Sequence, residues 1–255
     1  MIDMPEILKL GTLYIEGEPV SSGTSFRDKE GEITIGNTVS GKELSFLKLH
    51  GKYVATDNIY KDVPWAQLAQ SDCVYGKRVN IDGVKYICRC MDGGTDPTIP
   101  NEWDKILSKV GTGEKIWNNS WMYRYFWTMS VPLDRKDSIV TRGYQVADAW
   151  RYTNQLNVNV GICFRPILEP LHEVETLDDR LIGSIVSAYG PTGFVRGHLI
   201  KYSDYDLTIT PSSGSIEKER GHLVAPSMIG NSTWFVEDGT NIVVDMSKVS
   251  ILNLI

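Results

Sequence analysis

The organisation of this chain turns on Gly161-Ile162-Cys163-Phe164-Arg165-Pro166-Ile167-Leu168-Glu169. This run closes an aromatic-rich region, residues 79–170, and a polar run follows it: His172-Glu173-Val174-Glu175-Thr176-Leu177-Asp178-Asp179-Arg180. Such a composition shift reads as a linker, placed at 171–182. Upstream of the closing run, the hydrophobic period from 117 to 168 is irregular. That predicts short strands and long ordered loops. Five of the seven tryptophans fall between Trp103 and Trp150.

Working outward, Val79-Asn80-Ile81-Asp82-Gly83-Val84 reads as strand, Asp-Gly turn, strand. Asn101-Glu102-Trp103-Asp104-Lys105-Ile106-Leu107 reads as a helix. Pro100 and Asn101 precede it, carboxylates fill its first turn, and Trp103, Ile106 and Leu107 share a side. Residues 1–78 hold short β-prone runs, among them Leu13-Tyr14-Ile15, Ile33-Thr34-Ile35 and Lys52-Tyr53-Val54-Ala55, punctuated by glycines. Val63-Pro64-Trp65-Ala66-Gln67-Leu68 reads as a short helix with Trp65 and Leu68 on one face. Residues 183–255 show five strand-like runs and no helix, which predicts a small all-β barrel or sandwich. The fold class is therefore α+β and β-rich: a β-rich region 1–78, an aromatic-rich domain 79–170, the linker, and the all-β unit 183–255.

The chain has 255 residues and a net charge of −6, enough to bury a core and poorly suited to a polyphosphate partner. No apolar run is long enough to span a bilayer, and the N-terminus lacks the basic start and apolar run of a signal peptide. No nucleic acid, membrane insertion or cofactor is expected. The cysteines Cys73, Cys88, Cys90 and Cys163 have no Cys-x-x-Cys spacing, and the histidines are scattered, so no metal site is expected. Asp92-Gly93-Gly94-Thr95-Asp96 reads as a loop ordered by turns. No nucleophile motif and no phosphate-binding loop occurs. Glycoside hydrolysis would need two facing carboxylates, for which Glu102, Asp104, Asp134, Asp137 and Asp148 are the candidates.

Trp121-Met122-Tyr123-Arg124-Tyr125-Phe126-Trp127 and the segment from Gly143 to Asn154 are dense in Tyr, Trp, Arg and Asn. These residues combine rigid rings with polar handles, the composition of recognition surfaces. The candidate contact set is Tyr123, Trp127, Arg142, Tyr144, Asp148, Trp150, Tyr152 and Asn154. Strand alternation puts Trp121, Tyr123, Tyr125 and Trp127 on one face, more ring area than a surface exposes. Trp121, Trp127 and Trp150 are accordingly expected to pack for the most part, and Tyr123, Tyr144, Tyr152 and Asn154 to make contacts.

The run 161–169 resembles the closing Gly-Phe-Arg-Pro-Val-Leu-Glu strand of C-type-lectin-like proteins encoded by phages and prophages of Gram-positive bacteria. Asn101-Glu102-Trp103-Asp104 is similar to that family's helix start. Trp117-Asn118-Asn119-Ser120-Trp121 and Trp127 are similar to its Trp-rich middle, and Thr141-Arg142-Gly143-Tyr144 through Trp150 to its Arg-Gly-Tyr segment. The resemblance covers roughly residues 60–170 well and leaves 183–255 outside it. It implies a compact C-type-lectin-like domain with one exposed binding face between Trp121 and Asn154. The Glu-Pro-Asn and Gln-Pro-Asp loops of calcium-dependent lectins are absent. The implied function is that of a homo-oligomeric virion surface protein, assembled in the host cytoplasm and attached to head or tail. It would contact other virion proteins and a host cell-surface glycan or protein. A capsid-decoration or tail-assembly role without receptor binding is the alternative, and an envelope glycan hydrolase the third.

Overall fold

The computed structural model describes residues 6–117, 124–135, 137–155, 161–211 and 234–255. The chain forms two compact units, Met1–Pro170 and Leu171–Ile255. Both are β-rich, and among the described residues the α-helices belong to the first.

The strands of the first unit, in chain order, begin with β1 (Ile7–Ile15), β2 (Glu18–Val20), β3 (Thr24–Ser25), β4 (Ile33–Gly36), β5 (Glu43–Leu49), β6 (Lys52–Ala55) and β7 (Tyr60–Lys61). Helix α1 (Trp65–Gln70) then precedes β8 (Lys77–Ile81) and β9 (Val84–Cys90). Helices α2 (Glu102–Val110) and α3 (Glu114–Trp117) come next, before β10 (Tyr125–Trp127), β11 (Ser138–Gly143), β12 (Trp150–Asn154), β13 (Ile162–Cys163) and β14 (Pro166–Pro170). The large sheet runs β2-β1-β5-β6-β14-β9-β8, with β4 also paired to β1. A smaller sheet runs β12-β11-β10-β13, and β3 pairs with β7.

The expected boundary at 78/79 is not a boundary in this sheet. Strand β8 spans it, and β14 lies antiparallel between β6 and β9, pairing Ile167 with Val54 and Arg89. Residues 1–78 and 79–170 thus share one sheet and one unit, because the closing strand needs partners from both.

Local chemistry explains several elements. Asp82 and Gly83 turn between β8 and β9 with φ of 52° and 86°, left-handed at both positions, as a tight hairpin with right-handed strand twist requires. Asn101 caps α2, its side chain accepting from the Asp104 amide at 3.1 Å. Trp103, Ile106 and Leu107 face inward from α2. They pack with Leu47, Val54 and Ile167 of the large sheet and with Phe126 of the small one. One core cluster of the first unit therefore lies where α2 meets both sheets.

The second unit contains β15 (Ile185–Gly190), β16 (Gly193–Tyr202), β17 (Asp206–Thr210), β18 (Phe235–Asp238), β19 (Asn241–Asp245) and β20 (Ile251–Leu254). They form one antiparallel sheet in the order β18-β19-β17-β16-β15-β20. Among the described residues neither a closed barrel nor a second sheet forms: β18 and β20 end the sheet without pairing with each other, and β20 is flanked by the extended segment at Glu173, which bridges to Asn253. The expected linker belongs to this unit. Val174, Leu177 and Leu181 pack against its core, and the Val174 amide donates to Leu252 O at 2.8 Å. Those apolar residues, spaced three and four apart in a polar run, are what anchor it.

Candidate functional site: the edge of the small sheet

Strand β12 is an edge of the small sheet, and Arg151, Tyr152 and Asn154 on it are exposed. Trp150, Tyr152 and Asn154 alternate along it and sit opposite Arg142, Val140 and Ser138 of β11, so all six point to one face. Trp150 is half-buried and its indole N–H donates to Gly94 O at 3.3 Å. Its ring meets Tyr152 edge to face at 6.0 Å. Tyr152 is 41% exposed. The Arg135 guanidinium lies over that ring, 4.4 Å from its centroid, within cation–π range. Asn154 and Arg135 are exposed beside it. Leu133, 62% exposed, is held by its amide to Thr95 O at 3.2 Å. The result is a solvent-facing pair of Arg135 and Tyr152 backed by Trp150, with Leu133 exposed two positions before Arg135 on the same loop.

Tyr144 belongs elsewhere. It stacks on Tyr125, with centroids 4.7 Å apart and planes 10° apart. Tyr125 pairs with Gly143, so it points to the face opposite Tyr152. The predicted contact residues thus divide into two aromatic pairs rather than one face. Tyr144 and Gln145 hold φ of 77° and 67°, an unusual left-handed pair for non-glycine residues. Asp148 is exposed nearby. Tyr123 and Trp121 lie outside the described residues.

Two predicted contact residues are structural. Trp127 is fully buried, and its indole N–H donates to Val63 O at 2.7 Å. Arg142 is buried and joins three segments by donating to Gly93 O at 3.2 Å, to Asp148 O at 3.1 Å and to the Asp104 carboxylate. Burial lowers its pKa, and Asp104 opposes that shift. The guanidinium is spent inside the protein and offers a ligand little.

The carboxylates weighed for hydrolysis are dispersed. Glu102 is pushed up by burial but held well below the usual carboxylate range by Arg89 and Lys52, whose nitrogens reach it at 2.7 Å. Asp104 is engaged by Arg142 and Asn101. Asp134, Asp137 and Asp148 are exposed. In the Gly-Gly loop, Asp92 accepts from the amides of Gly94 at 3.0 Å and Glu102 at 3.2 Å, and from the Ser130 hydroxyl. Asp96 accepts from Thr98 N at 2.7 Å. Both carboxylates thus order turns. Among the described residues no group of three His, Cys, Asp or Glu side chains could hold a metal ion.

Sequence reasoning missed Leu133 and Arg135. They sit in a loop with no period, and only the fold brings Arg135 to Tyr152. Their one local signal was the Pro132-Leu133 pair, an apolar side chain left on a turn.

No family model matches the chain, and no curated protein or solved structure matches it.

Proposed function

We propose that this chain is a phage virion surface protein whose first unit has a C-type-lectin-like arrangement and binds the host envelope through the Leu133–Arg135–Tyr152 edge. The observation that carries this reading is the Arg135 guanidinium laid over a solvent-exposed Tyr152 ring, with Asn154 exposed two positions along the same strand and Leu133 exposed on the loop that carries Arg135. Arginine, tyrosine and asparagine on a rigid strand edge are the residues that dominate recognition energetics. The motifs behind the resemblance also converge. Trp103, Trp117 and Phe126 surround Arg165, while Asn101 caps the helix that carries Trp103. A core fixed in this way supports long loops that present side chains outward. Other virion proteins would anchor the chain as a homo-oligomer, so that weak contacts multiply.

Immunogold labelling of particles from the source strain, followed by binding of the purified protein to envelope preparations of the host, tests the proposal. Label on the particle and saturable envelope binding are expected, with Tyr152→Ala and Arg135→Ala each weakening binding about tenfold or more. Label without envelope binding would leave a decoration or assembly protein. Release of soluble glycan fragments from the envelope would point instead to a hydrolase.

A further inference from the structure

A concave surface of the large sheet shares no residue with the β12 edge. Tyr14 of β1, Thr34 and Gly36 of β4, Asn37 just beyond β4, Asn80 of β8 and Gly83 of the β8–β9 turn line an open groove of about 570 Å³. That volume is within the range of small-ligand sites, about 300–1,000 Å³.

Its floor is aromatic. Tyr14 and Thr34 are directly paired and point the same way. The Tyr14 ring presses on Gly36 so closely that a Cβ there would come within 2.9 Å of Tyr14 Cε2. Its hydroxyl donates to Asn37 O at 3.0 Å, which fixes the ring.

The rim is made of amides whose orientation is set. Asn37 Oδ1 accepts from the Asp82 amide at 2.8 Å, and Asn80 Oδ1 accepts from the Gly83 amide at 3.0 Å. Each acceptor is therefore committed to the backbone, and each Nδ2 group, a two-proton donor, has no partner among the described residues. Asn37 and Asn80 are both exposed.

The local charge disfavours an anionic ligand. Asp82 accepts from Thr38 N at 2.9 Å and from Thr38 Oγ1 at 2.6 Å, which ties the β4 end to the hairpin. Those same hydrogen bonds lower its pKa and keep a carboxylate at the rim.

We propose that this groove binds a neutral saccharide, with a pyranose C–H face on Tyr14 and ring hydroxyls accepting from the Asn37 and Asn80 amides. A ring floor supplies apolar contact, and two fixed donors 43 positions apart in sequence supply orientation. The inference does not rest on the reading of the β12 edge, since no residue is shared.

The test is a titration of the full-length protein, labelled with nitrogen-15, followed by NMR. The probes are methyl β-glucopyranoside, methyl α-rhamnopyranoside and N-acetylglucosamine, with inorganic phosphate as the anionic control. Saturable shifts of the Asn37 and Asn80 side-chain amide signals with at least one saccharide, and none with phosphate, are expected. Asn37→Asp and Asn80→Asp keep the Oδ1 acceptor for the backbone amide but replace the free donor with an acceptor. Each should weaken saccharide binding by about tenfold while leaving the remaining spectrum in place. The proposal is overturned if no saccharide gives saturable shifts at these amides, if phosphate gives them instead, or if both Asp variants bind as the parent does. Envelope binding through Tyr152 is read by a different assay, so either site can fail alone.

Discussion

Arg165 is the residue on which the first unit is most exposed to error. It has no solvent-accessible surface. Its guanidinium donates to Ala55 O at 3.1 Å, Thr56 O at 3.0 Å and Asn58 Oδ1 at 3.3 Å. Its carbon lies 5.2 to 5.8 Å from the ring centroids of Phe126, Trp117 and Trp103. Burial pushes the group down to about 10, so it remains charged at neutral pH. A planar fork serves two carbonyls and an aromatic cage at once, which an ammonium cannot do. Arg165→Lys is expected to destabilise the first unit by about 3 kcal/mol, read as a lower urea midpoint with an unchanged slope. Tyr152→Ala, on the surface, is expected to stay within about 0.5 kcal/mol of the parent in the same measurement. An equal loss in both would mean that Tyr152 is a packing residue and would remove the basis for the proposed binding edge.

At the scale of elements, four charged side chains fasten α2 to the large sheet. Arg89 of β9 donates through Nη1 to Glu102 Oε2 at 2.8 Å and through Nε to Glu169 Oε1 at 2.7 Å, and Lys52 of β6 reaches Glu102 at 2.7 Å. Glu102 begins α2 and Glu169 lies on β14, so the network joins β6, β9, β14 and the helix. Burial pushes the Glu102 carboxyl up, and Arg89 and Lys52 together bring it well below its usual 4.5. A carboxyl lowered by folding adds stability above its unfolded pKa and loses it as pH falls through the folded one. Stability of the first unit should therefore be flat in this respect above about pH 5 and decline below it. Glu102→Gln should cost about 2–3 kcal/mol at neutral pH and fall off less steeply in acid, so that the two proteins converge. Thermal midpoints of both from pH 3 to pH 7 check this, and parallel curves would show that Glu102 is not the titrating group.

The same scale explains what the sequence made legible. The Asp82-Gly83 hairpin, the Asn101 cap and the β6 and β17 strands follow from neighbours a few positions apart, where turn chemistry and periodicity act directly. The insertion of β14 between β6 and β9 pairs Ile167 with Val54, across 113 positions, and no local signal encodes it. The candidate site fails to read out for the same reason. Tyr152 stands out by its residue type, but its partner Arg135 is a loop residue, and only the register of β10, β11 and β12 separates Tyr125 from Tyr152. Arg142 and Trp127 carry the chemistry of contact residues and are used as internal fasteners, because in an aromatic-rich core the same donors satisfy buried carbonyls.

For the whole molecule, the two units have separate cores. One is built around Trp103, Phe126 and Ile167, the other around Leu199, Leu207, Val244 and Trp234. Each core is buried within its own unit, and the polar run that follows β14 closes on the second sheet through Val174 and Leu252. Units with their own cores unfold as their own cooperative blocks. Calorimetry of the full chain is expected to resolve two transitions. Leu168→Ala removes a fully buried side chain from β14, and Leu207→Ala does the same in β17. A buried leucine lost to alanine costs about 2–5 kcal/mol, so each substitution should lower one transition by about 10 °C and leave the other in place. If both substitutions instead move a single transition, the units are one cooperative block, and a strain introduced at the C-terminal sheet would reach the Tyr152 edge.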